Sequence, residues 1–135
     1  MEMLMNVETT GKIGPKRVVL SRANTGEEDR PVVSVRRIRD SERNRIAQAA
    51  GYVAGQTHTA MMFGELLLRS AIVGAERMTD ADDGTAVPFK TVSHPTLGQI
   101  AAAEIYNALG EEDVSLITDA YAGKTNLAEE QAKNS

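Results

Sequence analysis

Asp80-x-Asp82-Asp83-Gly84 is the densest group of short carboxylates in the sequence. Short carboxylates converging on a turn are what calcium needs, since the ion takes about six to eight oxygen ligands. The EF-hand spacing puts glycine sixth and glutamate twelfth from the first aspartate. Here Gly84 is fifth and Thr91 is twelfth. A solvated acidic turn therefore stands ahead of a metal site. Only two histidines occur, His58 and His94, and they are far apart, so zinc would lack its remaining ligands. Ser93 places a hydroxyl next to His94, but no nucleophile elbow or other local signature surrounds the pair. Gly74 and Gly84 precede no Gly-Lys-Ser/Thr, so a phosphate cradle is absent. There is no cysteine, which removes thiolate zinc, iron–sulfur and cysteine-nucleophile chemistry. No catalytic residue, metal or cofactor is expected, and the chain reads as a non-enzyme.

Binding chemistry is better represented. Arg36-Arg37-Ile38-Arg39, followed by Arg43 and Arg45, is the strongest local charge signal. Such clusters neutralise phosphates, the dominant contribution to nucleic-acid affinity. Arg36, Arg37, Arg39 and Arg43 are the candidates for that role. Asp40 and Glu42 dilute their field, and no aromatic side chain interleaves with them to stack on bases. The competing reading is a wet face of arginines paired with local carboxylates. Met61, Met62 and Phe63, with Leu66 and Leu67, form the greasiest run. Methionine surfaces are soft and repack against varied partners, but the same helical spacing also suits a buried core.

These residues sit in a chain of 135 residues and 14.5 kDa, long enough for one domain. The net charge of -4 is uneven. Residues 1–45 hold ten basic against seven acidic side chains (+3), and residues 46–135 hold five against twelve (-7). No apolar stretch is long enough to span a membrane, and the start lacks the basic and apolar regions of a secretory signal.

The expected fold is α+β, mainly α, with an N-terminal β-hairpin followed by about four helices. Residues 1–15 are expected to be a flexible segment, 16–123 a single domain, and 124–135 an acidic, flexible tail. Arg17-Val18-Val19-Leu20 and Val32-Val33-Ser34-Val35 predict the hairpin, with turn formers between them. Asp40 or Ser41 predicts a helix cap, and the apolar spacing beyond it predicts helices over 41–54 and 57–76, with Thr57 as the second cap; the Ala47, Gly51 and Gly55 stripe is either a face for close approach or a break. Residues 77–95 read as a connector, extended from Val87 to Val92. Thr96-Leu97-Gly98-Gln99 matches a capping box and predicts a third helix over 97–109. Glu111-Glu112-Asp113 opens a fourth, about 111–122, where the macrodipole favours carboxylates.

Two resemblances follow. Val32 to Arg37, a capped helix from Asp40, a glycine turn and a second capped helix at Gln56-Thr57 look like a ribbon-helix-helix DNA-binding protein. That resemblance implies base contacts from Ser34 and Arg36, or from Val35 and Arg37, on paired ribbons of a dimer. The second covers most of the chain. The valine/arginine run from Val32 to Ile38, the Ser41-Glu42-Arg43 helix start and the Glu65-Leu66-Leu67-Leu68-Arg69 helix come first. The Asp82-Asp83-Gly84 turn and two short helices follow, leading to Ala132-Lys133-Asn134-Ser135. This arrangement is similar to tail assembly chaperones of long-tailed bacteriophages. Lys133-Asn134 is compatible with the slippery heptamer at which that family makes a longer, frameshifted form. The resemblance implies a binding protein in the cytoplasm of the infected host. Its partners would be the tape-measure and tail-tube proteins, with homo-oligomers also open and neither nucleic acid nor membrane involved. A structural virion or adaptor protein is the further alternative.

Overall fold

The computed structural model describes residues 15–22 and 25–122. The expectations for 1–14 and 123–135, including the Lys133-Asn134 ending, lie outside the described residues. The N-terminal hairpin is present. β1 (Lys16–Val19) pairs antiparallel with β2 (Val32–Val35), Lys16 opposite Val35 and Val19 opposite Val32. A short 3-10 turn at Glu27–Asp29 lies in the connection. The β-branched run at β2 suits a pleated surface buried on both sides; Val32, Val33 and Val35 are all buried.

Two helices follow, α1 (Asp40–Ala50) and α2 (Thr57–Ala71). The chain then returns as β3 (Ile72–Glu76), antiparallel to β2, giving the order β1-β2-β3. Helix 57–76 was expected here, so its last five positions are corrected to strand. Ile72 and Ala75 continue the helical spacing of α2, but β2 has an open row of amides and carbonyls beside them. Pairing satisfies those buried groups, and a continued helix would leave them orphaned.

β4 (Thr91–His94) and β5 (Gly98–Ala101) form a second antiparallel hairpin, with His94 opposite Gly98. The expected helix 97–109 shrinks to α3 (Ala103–Asn107). Thr96 and Gln99 do not cap; Gln99 Oε1 instead accepts from the Thr91 hydroxyl across the hairpin at 2.8 Å. Gly98 has φ +79°, a conformation glycine adopts without steric penalty and one that ends any helix through it. The last helix, α4 (Glu111–Ala122), stands where expected. The fold class is therefore corrected. Among the described residues four helices accompany five strands in two small antiparallel sheets, 43% helix and 22% strand, so the fold is not mainly α with one hairpin.

One cluster of buried side chains links these elements, with Leu20, Val33, Ile46, Leu68, Ile105 and Ile117 at its centre. Each such side chain contributes roughly 1.5–3 kcal/mol by leaving water. Two helix starts share one device. At α1 the Glu42 carboxylate takes the Arg36 guanidinium, Nη1 at 3.0 Å, and the Arg39 amide helps hold its pKa down. At α4 Asp113 Oδ2 accepts from the Gly110 amide at 3.0 Å, and the same carboxylate takes Arg22 Nη1 at 3.0 Å. Both are carboxylates in a first helical turn tied to an earlier arginine, six positions away at Glu42 and 91 at Asp113, and the Gly110 bond is half of a capping box. The expected caps Asp40, Ser41 and Thr57 are not used: the N-cap positions are Arg39 and Gln56, and neither makes a side-chain cap bond.

The Arg22–Asp113 pair is the most buried ionic contact among the described residues, with side chains 8% and 3% exposed. Arg22 also donates to Thr79 Oγ1 (3.2 Å), the Thr79 carbonyl (3.0 Å) and the Ser21 carbonyl (2.8 Å). It therefore joins the end of the first hairpin strand, the connector after β3 and the start of α4.

Candidate functional site

The helical hairpin α1–α2 leaves the sheet from β2 and re-enters it at β3. Its two ends are bound to each other: the Arg36 amide donates to the Ala71 carbonyl at 2.9 Å, and Arg36 Nε donates to the Ser70 carbonyl at 3.1 Å. Between this base and the turn the hairpin is part of the core, through Ile46, Ala50, Leu66, Leu67 and Leu68.

Its distal end is built differently. α1 stops at Gly51, φ +66°, in a Schellman motif. There the Tyr52 amide reaches the Ala47 carbonyl at 3.0 Å and the Gly51 amide reaches Gln48 at 3.1 Å. Thr59, buried in the first turn of α2, seals the connection. Its hydroxyl accepts from the Val53 amide (3.1 Å) and lies within donor distance of the Gln56 carbonyl (3.1 Å). Every residue from 51 to 58 is exposed. With the backbone held from inside, the apolar side chains of this end face water. Tyr52 is 43% exposed, Val53 48%, Met61 67% and Met62 50%. Phe63 is half-buried and packs its ring against Tyr52, centroids 5.2 Å apart and tilted by 49°. Single exposed apolar residues are ordinary, but several at the end of one helical hairpin make a candidate interaction surface.

The structure divides the residues expected to bind a partner. Met61 and Met62 are on this surface and Phe63 lies at its edge. Leu66 and Leu67 are buried in the core, as their helical spacing also allowed. Tyr52 and Val53 were not anticipated. Their only signal in the sequence was a bulky apolar pair between Gly51 and Gly55, where the chain must turn.

The arginines are divided too. Arg36 is spent on Glu42 and Ser70, so it is a structural clamp. Hydrogen bonding and charge from Arg36, together with the Arg39 amide and Arg45, hold the Glu42 carboxyl below its ordinary range despite partial burial. Arg37 and Arg39 are exposed, and Arg43 is half-buried with its Nε unpartnered. Among the described residues none of the three forms an ion pair. Ser34 is half-buried opposite Gly74, and Val35 is buried. β2 lies between β1 and β3, so both of its edges are occupied and it has no edge for the ribbon of a second copy.

The sites of possible catalysis resolve into turns. Asp80 Oδ1 accepts from the amides of Asp82 (2.8 Å) and Asp83 (3.1 Å), and Asp83 Oδ1 accepts from Thr85 (2.9 Å). His94 Nδ1 accepts from the amides of Thr96 (3.1 Å) and Leu97 (3.2 Å), closing the β4–β5 turn. His58 is exposed on α2. Among the described residues no three His, Cys, Asp or Glu side chains group as a metal site, and no helix is long and apolar enough to cross a membrane. An open groove of about 230 Å³ runs beside β3, lined by Ala75, Met78, Val87 and Phe89 among others. Its one charged lining residue, Arg77, is engaged with the Arg30 carbonyl and Glu76. Compared with known proteins, the chain matches no family model, no curated protein and no solved structure.

Proposed function

We propose that this chain is a protein-binding factor of bacteriophage tail morphogenesis, a tail assembly chaperone. On this reading it acts in the cytoplasm of the infected host and holds an apolar helical segment of the tape-measure protein until tail-tube subunits polymerise around it. The observation that carries the reading is the distal end of the α1–α2 hairpin. Tyr52, Val53, Met61 and Met62 are presented to water on a backbone held by the bonds at Gly51 and Tyr52 and by the Thr59 hydroxyl. Helices with apolar faces are taken up by such surfaces through side-chain burial, with no bond made or broken. The similarity of the valine/arginine run, the leucine-rich helix and the Asp-Gly turn to that chaperone family supports the same reading. The contact surface is narrower than the sequence suggested, because Leu66 and Leu67 serve the core.

The test is co-expression of the full chain, tagged, with fragments of the tape-measure and tail-tube proteins of the same phage. Retention of at least one partner at moderate salt is expected, together with its loss in a Met61→Glu, Met62→Glu double variant. Failure to retain either partner, or retention indifferent to the double substitution, would refute the reading.

A further inference from the structure

The apolar end of the α1–α2 hairpin lies in a part of the chain without carboxylates. From Arg43 to Gly64 the sequence has no Asp or Glu, while it carries Arg43, Arg45 and His58. The two glutamates that bracket this window are both engaged by arginines. Glu42 is held by Arg36, and Glu65 is held by Arg69 one turn along α2 at 3.1 Å. Arg45 is exposed, forms no ion pair among the described residues, and shares the outer stripe of α1 with Gln48, which leads to Tyr52. On α2, His58 precedes Met61 and Met62 by three and four positions, so the three share one face. The apolar patch is thus flanked by donors and positive charge, in a protein whose net charge is -4. Charge of the opposite sign elsewhere is screened beyond a Debye length of about 8–10 Å at physiological salt. α2 alone is about 22 Å long at 1.5 Å per residue, about twice that length.

We infer that this tip selects an amphipathic helix whose apolar stripe is flanked by carboxylates. The inference rests on the proposed role of the tip as a partner-binding surface and specifies the partner's chemistry. The helix lays its leucine or isoleucine stripe over Tyr52, Val53, Met61 and Met62. Its flanking Asp or Glu side chains meet Arg45 on one side and donors such as His58 on the other. A basic amphipathic helix with the same stripe meets like charge at the exposed Arg45. Charge complementarity of this kind discriminates between partners of equal apolar area.

The experiment uses the full-length chain and two fluorescent synthetic peptides. They share one leucine/isoleucine stripe and helical length, and differ only in flanking residues, Glu in one and Lys in the other. Anisotropy titrations near 0.15 M ionic strength are expected to show the Glu peptide binding at least about tenfold tighter, the usual scale for complementary over like charge. The gap should close toward about 1 M salt, where the Debye length falls to roughly 3 Å. Arg45→Glu, verified as folded by circular dichroism, should reduce or invert the preference, and Met61→Glu should weaken both peptides. Equal affinities that are still lost in Met61→Glu would overturn the acidic preference and leave the tip as a docking surface. Binding that is indifferent to Met61→Glu, or no binding of either peptide, would overturn the docking surface itself and this inference with it.

Discussion

Replacing Asp113 with alanine removes the single counter-charge of a guanidinium that water barely reaches. The Arg22 side chain is 8% exposed and that of Asp113 3%. Three contacts from Arg22 to neutral oxygens survive, two on Thr79 and one on Ser21, so the loss falls at the lower end of the range for breaking a buried pair. That range is about 3–5 kcal/mol, and about 3 kcal/mol is expected here. The Gly110 amide at the α4 start also loses its acceptor, which is part of the same cost and not added to it. At about 4 °C per kcal/mol for a chain of this length, the melting temperature should drop by roughly 12 °C. Urea unfolding followed by far-UV circular dichroism at pH 7 measures the loss directly. The companion variants are Arg22→Met, Asp113→Leu and the double variant Arg22→Met, Asp113→Leu, which close one cycle. Because the charge is gone from both sides, the double variant should recover at least half of the loss. An Asp113→Ala variant within about 1 kcal/mol of the parent, or a double variant equal to the sum of the singles, would refute this account of the pair.

Three other outcomes are expected. Met61→Glu with Met62→Glu should change stability by no more than about 0.5 kcal/mol, since both side chains face water, while Leu67→Ala should cost about 2–5 kcal/mol; urea midpoints separate the two behaviours. The folded-state pKa of Glu42 is held below the ordinary 4.5, so its contribution is present above the unfolded value and is lost as pH falls through the folded one. Urea midpoints taken across the acid range should therefore fall less steeply below pH 4.5 for Glu42→Gln than for the parent. Gly51→Ala meets no neighbouring atom within 4 Å, so its cost is the left-handed backbone alone. That is about 1–2 kcal/mol, readable as a shift in the urea midpoint, and Gly51→Asn should cost less.

The parts of the fold legible in the sequence are those whose cause is local. β1 and β2 follow from β-branched runs and α4 from a carboxylate-rich start, while the first helix, expected to reach 54, stops four residues earlier because Gly51 turns left-handed. What was not legible depended on a distant partner. Ile72 to Glu76 keeps helical spacing with α2 and becomes strand only because β2 lies alongside. Thr96 to Gln99 satisfies a capping pattern, but Ser93 and His94 offer Gln99 and Gly98 a ladder, and Gly98 turns the chain. Arg22 and Asp113 lie 91 positions apart, and no spacing rule connects them. The tip was half legible for a related reason. Five apolar residues from Met61 to Leu67 share one helix, and only the neighbours of that helix decide which of them stay wet.

The clamp between Arg36 and Ala71 gives the helical hairpin the character of a cassette. Its two ends are fastened at adjacent strands, and from Gly51 to Met62 only Thr59 is buried. Drift in the outer residues between those points is thus uncoupled from sheet assembly. A lineage carrying this scaffold could exchange one binding specificity for another by rewriting that short stretch, and a graft of a foreign tip between Ala50 and Phe63 would leave the strands beneath it undisturbed.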